Sequence, residues 1–262
     1  MPFGLCYAPD IFQEDLQTIV LAGCEGVRNY LDDILVYGKS KTEHDENLQL
    51  VMQRLKDHGV SINTAKCFFG KQSVHFLGFK ITHDGLRMAE EKIKAVKNFR
   101  RPETQLEVKS FLGLVNFTER FILNRADRTK SLRNLARSDH YYWTAEEEKE
   151  CSYLRNKALD RIAKLGFFNS NDRTELYVDA SPIGLGAVLV QFNDEEVLRI
   201  ISCASKALSE NEKKYPQTQK ESLAVVWGIE RFTFYLTSME FVVRTDSEAN
   251  EYIFGDKSTR YI

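Results

Sequence analysis

The stretch "NYLDDILVYGKS", residues 29–40, sets two adjacent carboxylates, Asp32 and Asp33, between the apolar runs "VRNYL" and "ILVYG". Strand-forming runs on either side of a short polar step predict a β-hairpin with the acids at its turn. Aspartate is common in tight turns because it tolerates the left-handed backbone and hydrogen-bonds its own chain. Two neighbouring charges repel, however, and a bound cation relieves that repulsion. From these residues alone, an ordinary turn and half of a metal site are both open.

Upstream, "PDIFQEDLQTIVLA" predicts a helix over 9–22, with Pro9 near its start and Gly23 as its stop. Downstream, Leu48, Val51, Met52 and Leu55 form an i, i+3, i+4, i+7 stripe on a helix expected to be capped by Thr42 and closed by Gly59. The runs "KCFFG" and "VHFLGFKIT" then read as short strands, ending at the turn-like "HDG".

From residue 87 to 143 the pattern turns helical and basic. Pro102 separates a short helix from one striped by Val108, Phe111, Leu112 and Val115, extended by Phe121 and Ile122. Between Lys92 and Arg137 there are 12 Lys or Arg residues and only four acids, an excess of eight positive charges. That is either a phosphate-binding footprint or a solvated helical face. Thr144 and Glu147 form a capping box for an acidic connecting helix.

After about residue 167 three strand-like runs follow one another, "ELYVDAS", "GLGAVLVQF" and "LRIISCASKAL". A long helix is expected next, announced by a capping box from Ser209 to Glu212 and striped by Val225, Ile229, Phe232 and Leu236, and then a strand, "EFVVRTD". Three antiparallel strands, a helix and a fourth strand predict an α+β, mixed-sheet domain. Asp179 ends the first strand, Glu221 lies early in the helix and Asp246 ends the last strand. Each alone reads as a turn or solvent residue. Acids at strand ends and a helix start can also converge, and such clusters suit hard cations such as Mg²⁺, which are held by a few carboxylates plus substrate phosphates. Two such ions about 4 Å apart serve phosphodiester cleavage.

The totals narrow the class. The 262 residues are 43% hydrophobic and 28% charged, which is globular rather than disordered composition. No apolar run approaches the roughly 18 residues of a membrane span, and no signal-peptide pattern opens the chain. The five cysteines are scattered without C-x-x-C spacing, which argues against a disulfide framework or zinc site and for a reducing compartment. A net charge of −2 means the chain as a whole is not a basic nucleic-acid binder.

"MPFGLCYAPDIFQ", "YLDDILVYGKS", "FLGFKITHDG" and "SFLGLVNFTERFI" closely resemble the palm and thumb of reverse transcriptases from gypsy-like long-terminal-repeat retrotransposons. "WTAEEEKECSYLRNKAL" resembles the tether of that polymerase to its ribonuclease H domain, and "LYVDASPIGLGAVL", "YPQTQKESLAVVWGIERFTFYL" and "VVRTDSEANEYIF" resemble the ribonuclease H itself. The match is collinear over essentially the whole chain. It implies a partial palm with primer-grip hairpin over 1–86, a thumb over 87–143, a connection over 144–168 and a ribonuclease H-like domain, incomplete at its C-terminus, over 169–262.

The resemblance also implies roles. Asp32 and Asp33 would be polymerase metal-site acids, and Asp179, Glu221 and Asp246 nuclease metal ligands, with Mg²⁺ as cofactor and Mn²⁺ as a substitute. Phe3 to Gln13 would lie near the nucleotide and template, Phe76, Leu77 and Gly78 would grip the primer end, and Lys109, Arg120 and Arg125 would contact nucleic acid. Expected partners are an RNA or DNA template-primer, an RNA·DNA hybrid and, for the full-length enzyme, dNTP, with no membrane and a cytoplasmic, virus-like-particle setting. Tyr7, Phe79 and Ser247 depart from the residues usual in the family, Asn, His and His. A further polymerase aspartate would lie upstream of "MPFG" and a fourth nuclease acid beyond Ile262, so no independent polymerase activity is expected of this chain. Ribonuclease H activity alone, or an inactive or domesticated nucleic-acid-binding remnant, are the alternatives.

Overall fold

The computed structural model describes residues 6–122, 125–158 and 164–254, and the chain forms two compact units, Met1–Phe76 and Leu77–Ile262. In the first, helix α1 (Ala8–Asp15) carries Pro9 in its first turn, where a missing N–H costs nothing, and widens into a π-helical turn, Leu16–Val20. Strands β1 (Val27–Tyr30) and β2 (Asp33–Val36) pair antiparallel from Val27↔Val36 to Tyr30↔Asp33. Helix α2 (Lys41–Asp57) lays Val51 and Leu55 on Leu16, Val20, Leu21 and Val27. Met52, expected in the stripe, is exposed.

Two further expectations fail here. The cap of α2 is Ser40, not Thr42: Ser40 has the extended backbone a cap needs, and its Oγ accepts the Glu43 N–H at 3.1 Å. The run "KCFFG" is not a strand. Asn63 caps a 3₁₀ turn, Thr64–Lys66, and Phe68 and Phe69 stand exposed, so composition favoured a strand that the fold does not build there. Strand β3 (Ser73–Phe76) closes the unit.

The second unit opens with Leu77 (φ 52°) and Gly78 (φ 78°), a left-handed pair that breaks "VHFLGFKIT" before β4 (Phe79–Thr82). β4 pairs antiparallel with β5 (Gly85–Met88). Helices α3 (Glu90–Lys97), α4 (Gln105–Asn116), α5 (Lys130–Arg137) and α6 (Ala145–Tyr153) follow. Their core contains Val96, Val108, Phe111, Leu112, Val115 and Leu132, so the stripe on α4 is buried as its period requires. The box at Thr144 and Glu147 forms as expected. Glu150 of α6 accepts the N–H groups of Ser131 and Leu132 at 2.9 and 3.0 Å, an acid on the amino end of α5.

Beyond this lies a four-stranded sheet of order β8-β7-β6-β9, made of β6 (Arg173–Ala180), β7 (Gly184–Phe192), β8 (Leu198–Ala207) and β9 (Val242–Arg244). The first three pair antiparallel in sequence order, and β9 lies parallel to β6. Between β8 and β9 run α7 (Gln217–Arg231) and α8 (Thr233–Leu236), and α9 (Glu248–Phe254) follows. Leu176, Val178 and Ala180 alternate along β6 onto Ala224 and Val225 of α7. A Cβ on Gly228 would stand 2.9 Å from Val178 Cγ1, so this glycine lets helix and sheet approach. The box at Ser209 and Glu212 forms reciprocally, at 2.7 and 3.3 Å, but it leads only into a 3₁₀ turn, Glu212–Lys214. The long helix starts only after Pro216, whose fixed φ suits a helix entry.

Candidate functional site

The sheet register aligns two acids. β6 and β9 pair from Glu175↔Val242 to Tyr177↔Arg244, and two residues further along each chain stand Asp179 and Asp246. Parallel strands at a common rise carry both to the same end of the sheet. Glu221 joins them from the second turn of α7, and one carboxylate oxygen of each lies within 4.8 Å of the others. Asp179 and Asp246 are exposed, whereas Glu221 is only 7% exposed.

The environment of Glu221 decides what the cluster can hold. Gln217, one turn earlier, donates to the Ala180 carbonyl at 2.8 Å and to Glu221 Oε1, tying the helix to the end of β6. Glu221 Oε2 is buried and has no hydrogen-bond partner. Burial pushes the Glu221 carboxyl above its ordinary pKa and the charges of Asp246 and Asp179 add to this, against the Gln217 hydrogen bond. Three converging acids, with one buried oxygen unsatisfied, fit a hard divalent cation supplied with oxygen ligands. Among the described residues this is the one trio of His, Cys, Asp or Glu that converges so.

A cleft beside Asp179 is lined by Asp127, Ser181, Gly184 and Ser205. Ser181 Oγ donates to Asp127 Oδ1 at 3.0 Å, and Ser205 Oγ accepts the Ala126 N–H at 2.8 Å. Ala126 and Asp127, shortly before α5, therefore rest on the sheet next to the acids. Asp127 carried no sequence signal beyond its charge. Gln217 did, since it precedes Glu221 by one helical turn.

In the first unit, Leu31 and Asp32 form the two-residue turn and Asp33 opens β2, with both acids exposed. Leu31 has φ 50°, a left-handed conformation costly for a side-chain-bearing residue. Gln13 of α1 holds it: its Oε1 accepts the Leu31 N–H at 2.5 Å, and its Nε2 donates to the Asn29 carbonyl at 3.4 Å. No sequence spacing could have singled out this contact. Asp32 and Asp33 are joined by no third acid among the described residues.

The residues expected to contact nucleic acid are variously placed. Phe76 is half-buried and Leu77 exposed, while a Cβ on Gly78 would stand 2.8 Å from the Phe117 ring. Lys109 and Arg120 are exposed. Arg125 turns inward to Asn116 Oδ1 and to Glu119 at 3.4 Å. Other members of the basic block are also committed within the fold, with Arg101 over Trp143, Arg128 over Tyr153 and Lys92 over Phe117. Of Phe3 to Gln13, Phe3, Gly4 and Leu5 lie outside the described residues.

Comparison with known proteins agrees with this architecture. Residues 1–81 match the family of reverse transcriptases (RNA-dependent DNA polymerases), and residues 169–261 the RNase H-like domain found in reverse transcriptase. The Tf2-3 transposon polyprotein of Schizosaccharomyces pombe is 32% identical over 250 residues, covering 94% of this chain and 19% of that one. The Tf2-7 polyprotein of the same organism matches to the same extent, so the chain spans about a fifth of the curated relatives it matches. A foamy viral protease-reverse transcriptase in complex with dsDNA superposes with a TM-score of 0.83 at 23% identity, covering 100% of this chain and 55% of that one. Another, in complex with an RNA/DNA hybrid, gives 0.80 at 23%, covering 99% and 36%. The α+β architecture is thus that of a reverse transcriptase carrying an RNase H-like domain. Within that class, the chain belongs to the retrotransposon Pol polyproteins, as a fragment of their reverse transcriptase/ribonuclease H part.

Proposed function

We propose that the carboxylate cluster of the second unit is the metal centre of a ribonuclease H that hydrolyses the RNA strand of an RNA·DNA hybrid. The observation that carries this is the convergence of Asp179, Glu221 and Asp246, with the Glu221 Oε2 buried and unpartnered. In this reading Asp179, Glu221 and Asp246 would hold Mg²⁺, with Mn²⁺ as substitute. When bound, such ions activate water and neutralise the leaving oxygen. Gln217 fixes the Glu221 carboxylate against Ala180, so the acid is set before substrate arrives. Exposed Lys109 and Arg120 would attract the duplex backbone.

The hairpin of Asp32 and Asp33 would supply polymerase acids in the full-length protein, where dNTP and a template-primer are the further substrates. Its exposed turn, held by Gln13, supports that reading. Cleavage of a labelled RNA·DNA hybrid in Mg²⁺ or Mn²⁺, wild type against Glu221→Gln, tests the nuclease. Loss of cleavage by more than about 100-fold is expected for a direct metal ligand, since even supporting residues cost 10–100-fold. Equal cleavage by both proteins would refute it.

A further inference from the structure

The pairing that sets Asp246 beside Asp179 is slight. β9 is three residues long, and only three residue pairs join it to β6. A slip of one residue would turn Asp246 to the other face, and a slip of two would move it by about 7 Å along the strand. Three pairs of backbone contacts at a sheet edge give little resistance to either.

One side chain crosses this seam. Glu175 lies on β6 at the same face as Tyr177 and Asp179, and it is only 1% exposed. Both of its oxygens are taken. Arg244 of β9 donates through Nε to Oε2 and through Nη2 to Oε1, each at 3.0 Å. Tyr177 donates its hydroxyl to Oε2 at 2.9 Å, and Arg173 donates to Oε1. The hydrogen bonds from Arg244, then those from Tyr177 and the two guanidinium charges, hold the Glu175 carboxyl below its usual range, against the effect of burial. A two-point guanidinium–carboxylate pair has one register, because its two parallel bonds cannot both survive a displacement. Arg244 stands two residues before Asp246 and Glu175 four before Asp179.

Resting on the nuclease reading above, we infer that Glu175 is a positioning residue for that site: paired with Arg244, it locks β9 on β6 in the register that brings Asp246 to Asp179. It touches no substrate and acts through the strand.

Titration with Mn²⁺ alone, on folded protein, tests this. Glu175→Gln keeps the side-chain volume but turns an amide N–H₂ toward the guanidinium groups, so the Mn²⁺ dissociation constant should rise about tenfold. Arg244→Gln should do the same. The double variant should be no worse than either single, because the two groups act as one unit. Amide exchange at Val242–Arg244 should quicken in step. A folded Glu175→Gln protein with wild-type Mn²⁺ affinity and unchanged β9 exchange overturns the inference, as does additive loss in the double variant. If Glu175→Gln does not fold, Arg244→Lys, which keeps charge but loses the fork, carries the same expectation at smaller size. Asp179→Asn separates the two readings. If wild type binds no Mn²⁺, or Asp179→Asn binds it equally well, the metal site fails, and β9 exchange alone then decides whether Glu175 sets the register.

Discussion

Asp32 and Asp33 reach their places through one hairpin running from Val27 to Val36, whereas Asp179, Glu221 and Asp246 come from the end of β6, from α7 and from beyond β9. The hairpin is closed by a two-residue turn, so adjacency in sequence already makes the two acids adjacent in space. The trio must first form a sheet of four strands and pack a helix on it, each step closing a long loop before contacts offset its entropy. The difference lies in burial as well. The hairpin acids are exposed, and the trio contains a carboxylate that is 7% exposed with one oxygen unpaired. A site that buries an unsatisfied charge must be held by the fold around it, while a surface turn needs only local restraint.

The strongest test of this contrast is Leu176→Ala. Leu176 is 0% exposed on the core face of β6, the strand that carries Asp179, so its truncation should cost about 2–5 kcal/mol in denaturant unfolding of the second unit. Leu31 amide exchange should stay at its wild-type rate in that variant under native conditions, and a matching acceleration would erase the distinction between local and assembled sites.

Gln13→Ala should act the other way, removing two hydrogen bonds to the hairpin, the short one at the strained Leu31 and the long one to the Asn29 carbonyl. An effect of about 1 kcal/mol is expected, read as several-fold faster exchange at the Leu31 amide, with Mn²⁺ affinity at the trio unmoved. Leu31→Gly is the complement. Since φ is 50° there, glycine relieves backbone strain and should stabilise the turn by up to about 1 kcal/mol, and a loss of stability would show that Leu31 packing outweighs the backbone.

The smallest effect concerns Glu212, which braces the approach to α7. The hydrogen bond from Lys206, and next those from Ser209, hold its carboxyl at about 2 against an ordinary value of 4.5. A depressed pKa means the contribution is complete above 4.5 and is lost as pH falls toward about 2. Melting curves of wild type and Glu212→Gln should therefore differ above that range and converge toward its lower end.

Much of this was legible in the chain. The hairpin, the stripe of α4, the box at Thr144 and the three consecutive strands follow from period and capping residues acting over a few positions. The misses share a cause. "KCFFG" has strand composition, and Ser209 with Glu212 has a helix cap, yet the first is not built into a strand and the second leads only into a 3₁₀ turn because Pro216 marks the true entry. Local preference selects among conformations, and tertiary contacts decide which is kept. At the acids the same division holds. Their positions at strand ends and a helix start were readable, but not that Glu221 would be buried with an orphan oxygen, nor that Gln13 would hold a turn 18 residues away.

By itself, then, the sequence determined the elements, their order and which acids could meet, because hydrophobic period, turn chemistry and the collinear motifs are properties of neighbouring residues. The tertiary structure alone decided that β9 pairs in parallel with β6, that Glu175 and Arg244 close that seam, and that Asp127 rests against Ser181. Those are contacts between residues far apart in the chain. No local pattern encodes them, since they exist only once the apolar faces of sheet and helix have been buried together.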